Sequence, residues 1–169
     1  MSQEPLVGIV MGSETDLPIM TEAARMLRKF NVPFEIELTS AHRSPARTAN
    51  YARTALERGL KVIIVGAGGA AHLGGVIAAE TTLPVIGVPM ATTPLAGLDA
   101  LLAIVQMPGG VPVACTAIGK PGAINAAIFA IEILATADPA LAAQLASYKE
   151  DLALAVAEKS EKVKRELQV

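Results

Sequence analysis

The chain of 169 residues is one domain's length, and its 52 % hydrophobic and 18 % charged residues exclude intrinsic disorder. A net charge of -2 gives no basic excess to neutralise a phosphate backbone, which argues against a nucleic-acid binder. One cysteine, Cys115, excludes a disulfide framework, and two histidines, His42 and His72, leave little from which to build a metal centre.

Leu6 to Met11 is a continuous apolar run ended by Gly12-Ser13, the pattern of a buried parallel strand. Thr15 to Lys29 has helical periodicity, and Pro33 to Thr39 alternates as a second strand. Pro45 to Arg58 reads as a helix, with Ser44 as its N-cap, Pro45 at its first position and Gly59 at its end. Lys61 to Gly66 is a third strand, followed by a glycine-rich turn and a short helix from Ala67 to about Glu80. Pro84 to Val88 and Val111 to Ala117 are a fourth and a fifth strand, the latter placing Cys115 in the core. Leu95 to Val105 and Gly122 to Thr136 are helices, and Pro139 to about Leu167 is helical in two pieces.

Strand and helix alternate five times, which gives an open parallel sheet covered by helices on both faces. The strand order expected for such a unit is the flavodoxin-like 2-1-3-4-5, an α/β three-layer sandwich with a C-terminal helical extension. The whole chain, 1–169, reads as a single domain with its core at about 5–137. The N-terminus lacks a signal-peptide pattern. The apolar stretch from Pro121 to Ala137 is shorter than the roughly 20 residues of a membrane span. A cytoplasmic protein without membrane partners is expected.

Charge is unevenly spread. Between Pro84 and Ser147 there are four charged residues, whereas Lys149 to Glu166 holds ten. A lone domain must show water a large surface, and a stretch so poor in charge cannot easily supply its share. Ala123 to Ala135 would be apolar nearly all round as a helix, which means burial on every side. A homo-oligomer is therefore expected. The last helix pairs Glu158 with Lys162 and Glu161 with Arg165 at i, i+4, and carries a thin apolar stripe of Leu152, Val156, Val163 and Leu167. That stripe suits packing of the segment 139–167 on a neighbouring subunit.

Ligands of open parallel sheets bind beyond the carboxyl ends of the strands, where the strand order reverses. Here that is where the loops after strands one, two and three meet. The first loop, Met11 to Asp16, offers free N–H groups and a helix N-terminus to an anion. Its Ser13 and Asp16 also have the spacing of a capping box, which needs no ligand. In the second loop, Ser40 to Pro45, His42 and Arg43 serve no cap. A histidine there can act as general acid or base, and an arginine can grip a phosphate or carboxylate. In the third loop, Gly66 to Gly75, no side chain exceeds a methyl group until His72, so a ligand can touch backbone. Its glycine spacing is neither a dinucleotide fingerprint nor a Walker motif.

Six motifs in order, MGSETD (11–16), SAHRSP (40–45), VGAGGAAHLGG (65–75), GVP (87–89), IVQMPGGVPV (104–113) and AIGKPGAINAA (117–127), resemble the N(5)-carboxyaminoimidazole ribonucleotide mutases of purine biosynthesis. The resemblance covers nearly the whole chain. It implies a flavodoxin-like fold, a homo-octamer, a nucleotide substrate, no cofactor and no metal. It implies that His42 is catalytic and that Arg43 binds phosphate, while Ser13 and Asp16 bind the nucleotide, with Asp16 towards the ribose. Thr15, Ser40, Ala41, Gly68, Gly69, Ala70, His72 and Leu73 are implied as the rest of the substrate site. A related group that carboxylates aminoimidazole ribonucleotide directly typically reads Ser-Ala-His-Lys and lacks the Gly-Gly-Ala-Ala-His loop, so Arg43 and His72 favour the mutase. Thr15 and Gly74 depart from the usual serine and proline. Direct carboxylation and a non-catalytic nucleotide-binding module stand as alternatives.

Overall fold

The computed structural model describes residues 4–168. These fall into two compact units, one reaching to Ile133 and the other starting at Leu134. The first unit holds a parallel sheet of β1 (Val7–Met11), β2 (Phe34–Leu38), β3 (Val62–Gly68), β4 (Val85–Met90) and β5 (Ala114–Cys115) in the order β2-β1-β3-β4-β5. Helices α1 (Leu17–Lys29), α2 (Pro45–Thr54), α3 (Leu73–Glu80), α4 (Leu98–Val105) and α5 (Lys120–Ala135) alternate with the strands. The strand order and the α/β class are those expected from the sequence.

β1 and β4 are buried along their full length, and β3 up to Gly68, because apolar side chains leave both faces of a central parallel strand. β2 lies at one edge, with Ile36 and Leu38 exposed. The register sets Met11 between Leu38 and Gly66. The carboxyl ends of β1, β2 and β3 therefore stand side by side, and the loops leaving them share one edge of the sheet.

Several boundaries differ from the sequence reading, each for a local reason. A 3-10 turn over Glu14–Asp16 precedes α1, which starts only at Leu17 with Pro18 in its first turn. α2 stops at Thr54, where the chain tightens through an Ala55 N–H bond to Ala52 C=O before reversing at Gly59. β3 and β4 both run two residues further than expected, because Gly66 and Gly68 let the strands continue past bulky neighbours. α4 begins at Leu98, since Ala96 and Gly97 adopt left-handed backbone. β5 has only two residues, following Pro112 at the sheet's other edge, and Cys115 is half-buried instead of a core residue.

The second unit contains α6 (Pro139–Leu167), one continuous helix and not two pieces. Asp138 caps it by accepting from the N–H groups of Ala140 and Leu141 at 2.9 and 3.1 Å, and Pro139 occupies the first turn. No glycine or proline follows Pro139, and alanine, leucine, lysine and glutamate are strong helix formers. Ion pairs on its exposed face join Glu161 to Lys164 and Lys162 to Glu166. Among the described residues no helix is long and apolar enough to cross a membrane.

Candidate active site

At the carboxyl ends of β1, β2 and β3 lies an open cleft of about 520 Å3. It is lined by Gly12, Ser13, Thr15 and Asp16 from the first loop, by Ser40 to Arg43 from the second, and by Ala67, Gly68, Ala71, His72 and Leu73 from the third. The three loops singled out in the sequence meet there.

The first loop is ordered by its own hydroxyls. Ser13 Oγ accepts from the Thr15 N–H at 3.3 Å and from the Thr15 hydroxyl at 2.9 Å. The Asp16 N–H instead bonds the Ser13 carbonyl, so the capping box does not form in its usual pattern. Asp16 makes no side-chain cap bond to α1 and is 3 % exposed. Burial pushes its carboxyl above the usual range, and a backbone hydrogen bond at Ser13 only partly offsets this. A buried carboxylate at the cleft wall is well suited to accept hydrogen bonds from ligand hydroxyls.

The second loop is held from below. Buried Thr39 and Thr48 share a hydrogen bond of 2.9 Å, and Thr39 also bonds the Ser44 hydroxyl at 3.2 Å. Ser44 Oγ accepts from the Ser40 N–H at 3.0 Å and donates to the Ser40 carbonyl at 3.1 Å. Ser44 is the N-cap residue of α2 by position, but its side chain is spent on this turn and makes no cap bond. The Arg43 N–H donates to Ser40 Oγ at 3.2 Å, which closes the turn around His42. The Arg43 guanidinium reaches across to the Gly12 carbonyl at 3.2 Å and so spans from the second loop to the first.

The third loop brings the second imidazole to the first. His42 Nε2 and His72 Nδ1 are 2.7 Å apart, with the rings nearly perpendicular at 80°. One proton occupies that bond, and its tautomer assignment depends on the network. The bond engages Nε2 of His42, and Nδ1 takes no part in it. Before His72 the chain turns through Gly69 and Ala71, both at positive φ, with the Ala71 N–H bonded to the Gly68 carbonyl. Ala71 holds this conformation without being glycine, a local strain typical of functional loops.

Two residues expected in the site, Gly69 and Ala70, do not line the cleft; Ala67 and Ala71 supply the small-residue wall in their place. The turn at Gly69 carries Ala70 outward to an exposed position. Thr92, beyond β4, also lines the cleft and was missed by the sequence reading. The supporting hydroxyls of Thr39 and Thr48 were missed as well, since isolated threonines near a strand end carry no pattern of their own.

The chain matches the model of the AIR carboxylase family over residues 6–154. It is 54 % identical over 162 residues to the N5-carboxyaminoimidazole ribonucleotide mutase of Pyrococcus horikoshii, covering 96 % of this chain and 90 % of that one. To the protein of the same name from Bacillus subtilis it is 54 % identical over 160 residues, covering 95 % and 99 %. Among solved structures it resembles Treponema denticola PurE, with a TM-score of 0.84 at 28 % identity, covering 95 % of this chain and 99 % of that one. Motif order, sheet topology and the meeting of the three loops agree with these likenesses, and the chain belongs to the AIR carboxylase family.

Proposed function

We propose that this protein is an isomerase of purine biosynthesis. It moves a carboxyl group from the exocyclic amine of N(5)-carboxyaminoimidazole ribonucleotide to the neighbouring ring carbon. The observation that carries this reading is that the His42 imidazole shares one cleft with a wall of small residues, Ala67, Gly68 and Ala71. The mutase names of relatives at 54 % identity support it.

The mechanism follows from those two surfaces. The carbamate C–N bond breaks and its electron pair stays on nitrogen, which takes a proton from His42. Carbon dioxide is left against the small-residue wall, where there is no side-chain nucleophile to divert it. The ring carbon then attacks carbon dioxide, and its proton returns to His42. A single imidazole serves both steps because histidine can give and accept a proton near neutral pH. Holding the two fragments together replaces a bimolecular capture by an intramolecular one, with effective molarities of about 10⁵ M or more. Arg43, spanning the first two loops, binds the phosphate, and buried Asp16 accepts from the ribose. Ser13, Thr15, Ser40, Ala41, Gly68, His72 and Leu73 complete the nucleotide site, with no cofactor or metal taking part.

The active assembly in this reading is a homo-octamer working in the cytoplasm, with each chain one domain and α6 lying on neighbours. Its support is the apolar outer surface of α4 and the residues before it, where Leu95, Leu98, Leu102 and Val105 are each at least half exposed.

Direct carboxylation of aminoimidazole ribonucleotide is the second reading, favoured by the family's description. One assay separates the two. The protein is given N(5)-carboxyaminoimidazole ribonucleotide, or aminoimidazole ribonucleotide with low bicarbonate, and the ring-carboxylated product is followed by absorbance. Rapid product from the first alone is the expected result. Product from the second alone makes the protein a carboxylase, and binding without product from either makes it a non-catalytic module.

A further inference from the structure

Thr92 stands two residues beyond the end of β4, and the register explains where it goes. Met90 of β4 pairs with Gly68 of β3, so the chain leaving β4 passes directly over Gly68. A Cβ placed on Gly68 would collide with Thr92 Oγ1 and would lie 3.2 Å from Thr92 Cβ. Glycine at 68 is thus what admits the Thr92 hydroxyl to the small-residue wall. The loop bearing Thr92 is pinned on its far side. The Thr93 hydroxyl donates to Asp99 Oδ2 at 2.7 Å and accepts from the Leu95 N–H at 3.2 Å. Thr92 itself lines the cleft with His42 and His72, and among the described residues its hydroxyl has no hydrogen-bond partner. Thr92 is exposed to the cleft, and its hydroxyl, carried by a pinned loop and held over a glycine at the wall where carbon dioxide would rest, is placed to meet a ligand oxygen.

We infer that the Thr92 hydroxyl hydrogen-bonds the carboxyl group in transit and holds it over Gly68 between departure and recapture. The inference rests on the carboxyl-shift reading above. Thr92 neither gains nor loses a proton. Its O–H donates to an oxygen of carbon dioxide, and the bond strengthens as that oxygen gains negative charge on formation of the new C–C bond. The bond between carbon and exocyclic nitrogen has already broken, and the ring proton goes to His42. Thr92 therefore decides how much carbon dioxide is recaptured and how much escapes.

The test is turnover of N(5)-carboxyaminoimidazole ribonucleotide in buffer containing carbon-13 bicarbonate, with wild type, Thr92→Val and Thr92→Ser. Two quantities are read: labelled carbon in the product, and free aminoimidazole ribonucleotide released per product formed. Thr92→Val keeps the shape and loses the hydroxyl. It is expected to raise both quantities about tenfold, the worth of a hydrogen bond to a charging oxygen, with KM changed less than twofold. Thr92→Ser should restore wild-type retention. Gly68→Ala, which displaces the hydroxyl without removing it, should reproduce the leak. Wild-type retention in Thr92→Val overturns the proposal alone, as does a leak that Thr92→Ser fails to correct. Absence of product from wild type overturns the carboxyl-shift reading, and the proposal falls with it.

Discussion

The two imidazoles joined across the cleft have unequal positions. His42 sits in a turn braced by Ser40, Ser44, Thr39 and Thr48, whereas His72 begins α3 and meets His42 through a single 2.7 Å bond. If one imidazole carries the proton both ways, His42→Asn should keep nucleotide binding and lose turnover by at least about a hundredfold, the usual worth of a general acid or base. His72→Asn removes an orienting bond, so kcat should fall by no more than about tenfold. Equal losses in steady-state kinetics would mean that both rings handle the proton. Asp16 gives a second residue-scale prediction. Its carboxyl pKa is raised in the folded protein above the ordinary 3.8, chiefly by burial. Stability from this group is therefore fully present below the ordinary value and is lost as pH rises through the folded one. Asp16→Asn should melt at a higher temperature than wild type at pH 7, and the gap should close in acid. Nucleotide binding should weaken about tenfold or more as the charged acceptor is lost. His42 and Arg43 were legible in the sequence because no cap or packing role accounts for them. Thr92 was not, since its place depends on strand register and on the missing side chain at Gly68.

At the scale of elements, glycines separate into those that packing requires and those it does not. Gly8 in β1 lies against the hydroxyl end of Tyr51: a Cβ there would collide with the Tyr51 hydroxyl and stand 3.1 Å from Leu60 Cδ1. Arg58 stacks on the Tyr51 ring, 4.6 Å from its centroid, and pairs with Glu35 of β2 at 2.9 Å. Gly8→Ala should cost about 1–3 kcal/mol in chemical denaturation, because the whole stack must move. Gly74, within the first turn of α3, is different: its nearest neighbour would be Val113 Cγ1 at an ordinary 3.5 Å. Gly74→Ala should stabilise by up to about 1 kcal/mol through helix propensity alone and leave kcat unchanged. The strands β1, β3 and β4 were legible because central parallel strands are continuous apolar runs. The start of α4 and the length of β5 were not, because left-handed Ala96 and an edge strand of two residues leave no periodic signal.

For the whole molecule, the uneven charge of the sequence becomes uneven surface. Leu98, Leu102 and Val105 follow one face of α4, each 50–52 % exposed, and Phe129 of α5 is 41 % exposed. On α6, considered alone, Leu141 and Leu145 recur as Leu152 and Val156 and again as Val163 and Leu167, a repeat of eleven residues. Eleven residues make just over three helical turns, so these side chains run in a nearly straight stripe along the helix. Four of them, Leu152, Val156, Val163 and Leu167, are 51–67 % exposed in the single chain. Ten charged residues surround that stripe between Lys149 and Glu166, which is the pattern of a helix with one face meant for a partner and the rest for water. The proposed octamer of 17.4 kDa chains has a mass of about 140 kDa, which light scattering reads directly. Leu152→Glu with Val156→Glu sets charge into the stripe without altering the cleft residues. Fresh charges at an apolar interface cost several kcal/mol per contact, so this variant should shift the mass to smaller species. An unchanged mass would show that α6 is not an assembly surface and leave the exposed face of α4 as the candidate. A smaller mass with intact secondary structure by circular dichroism would place α6 between subunits.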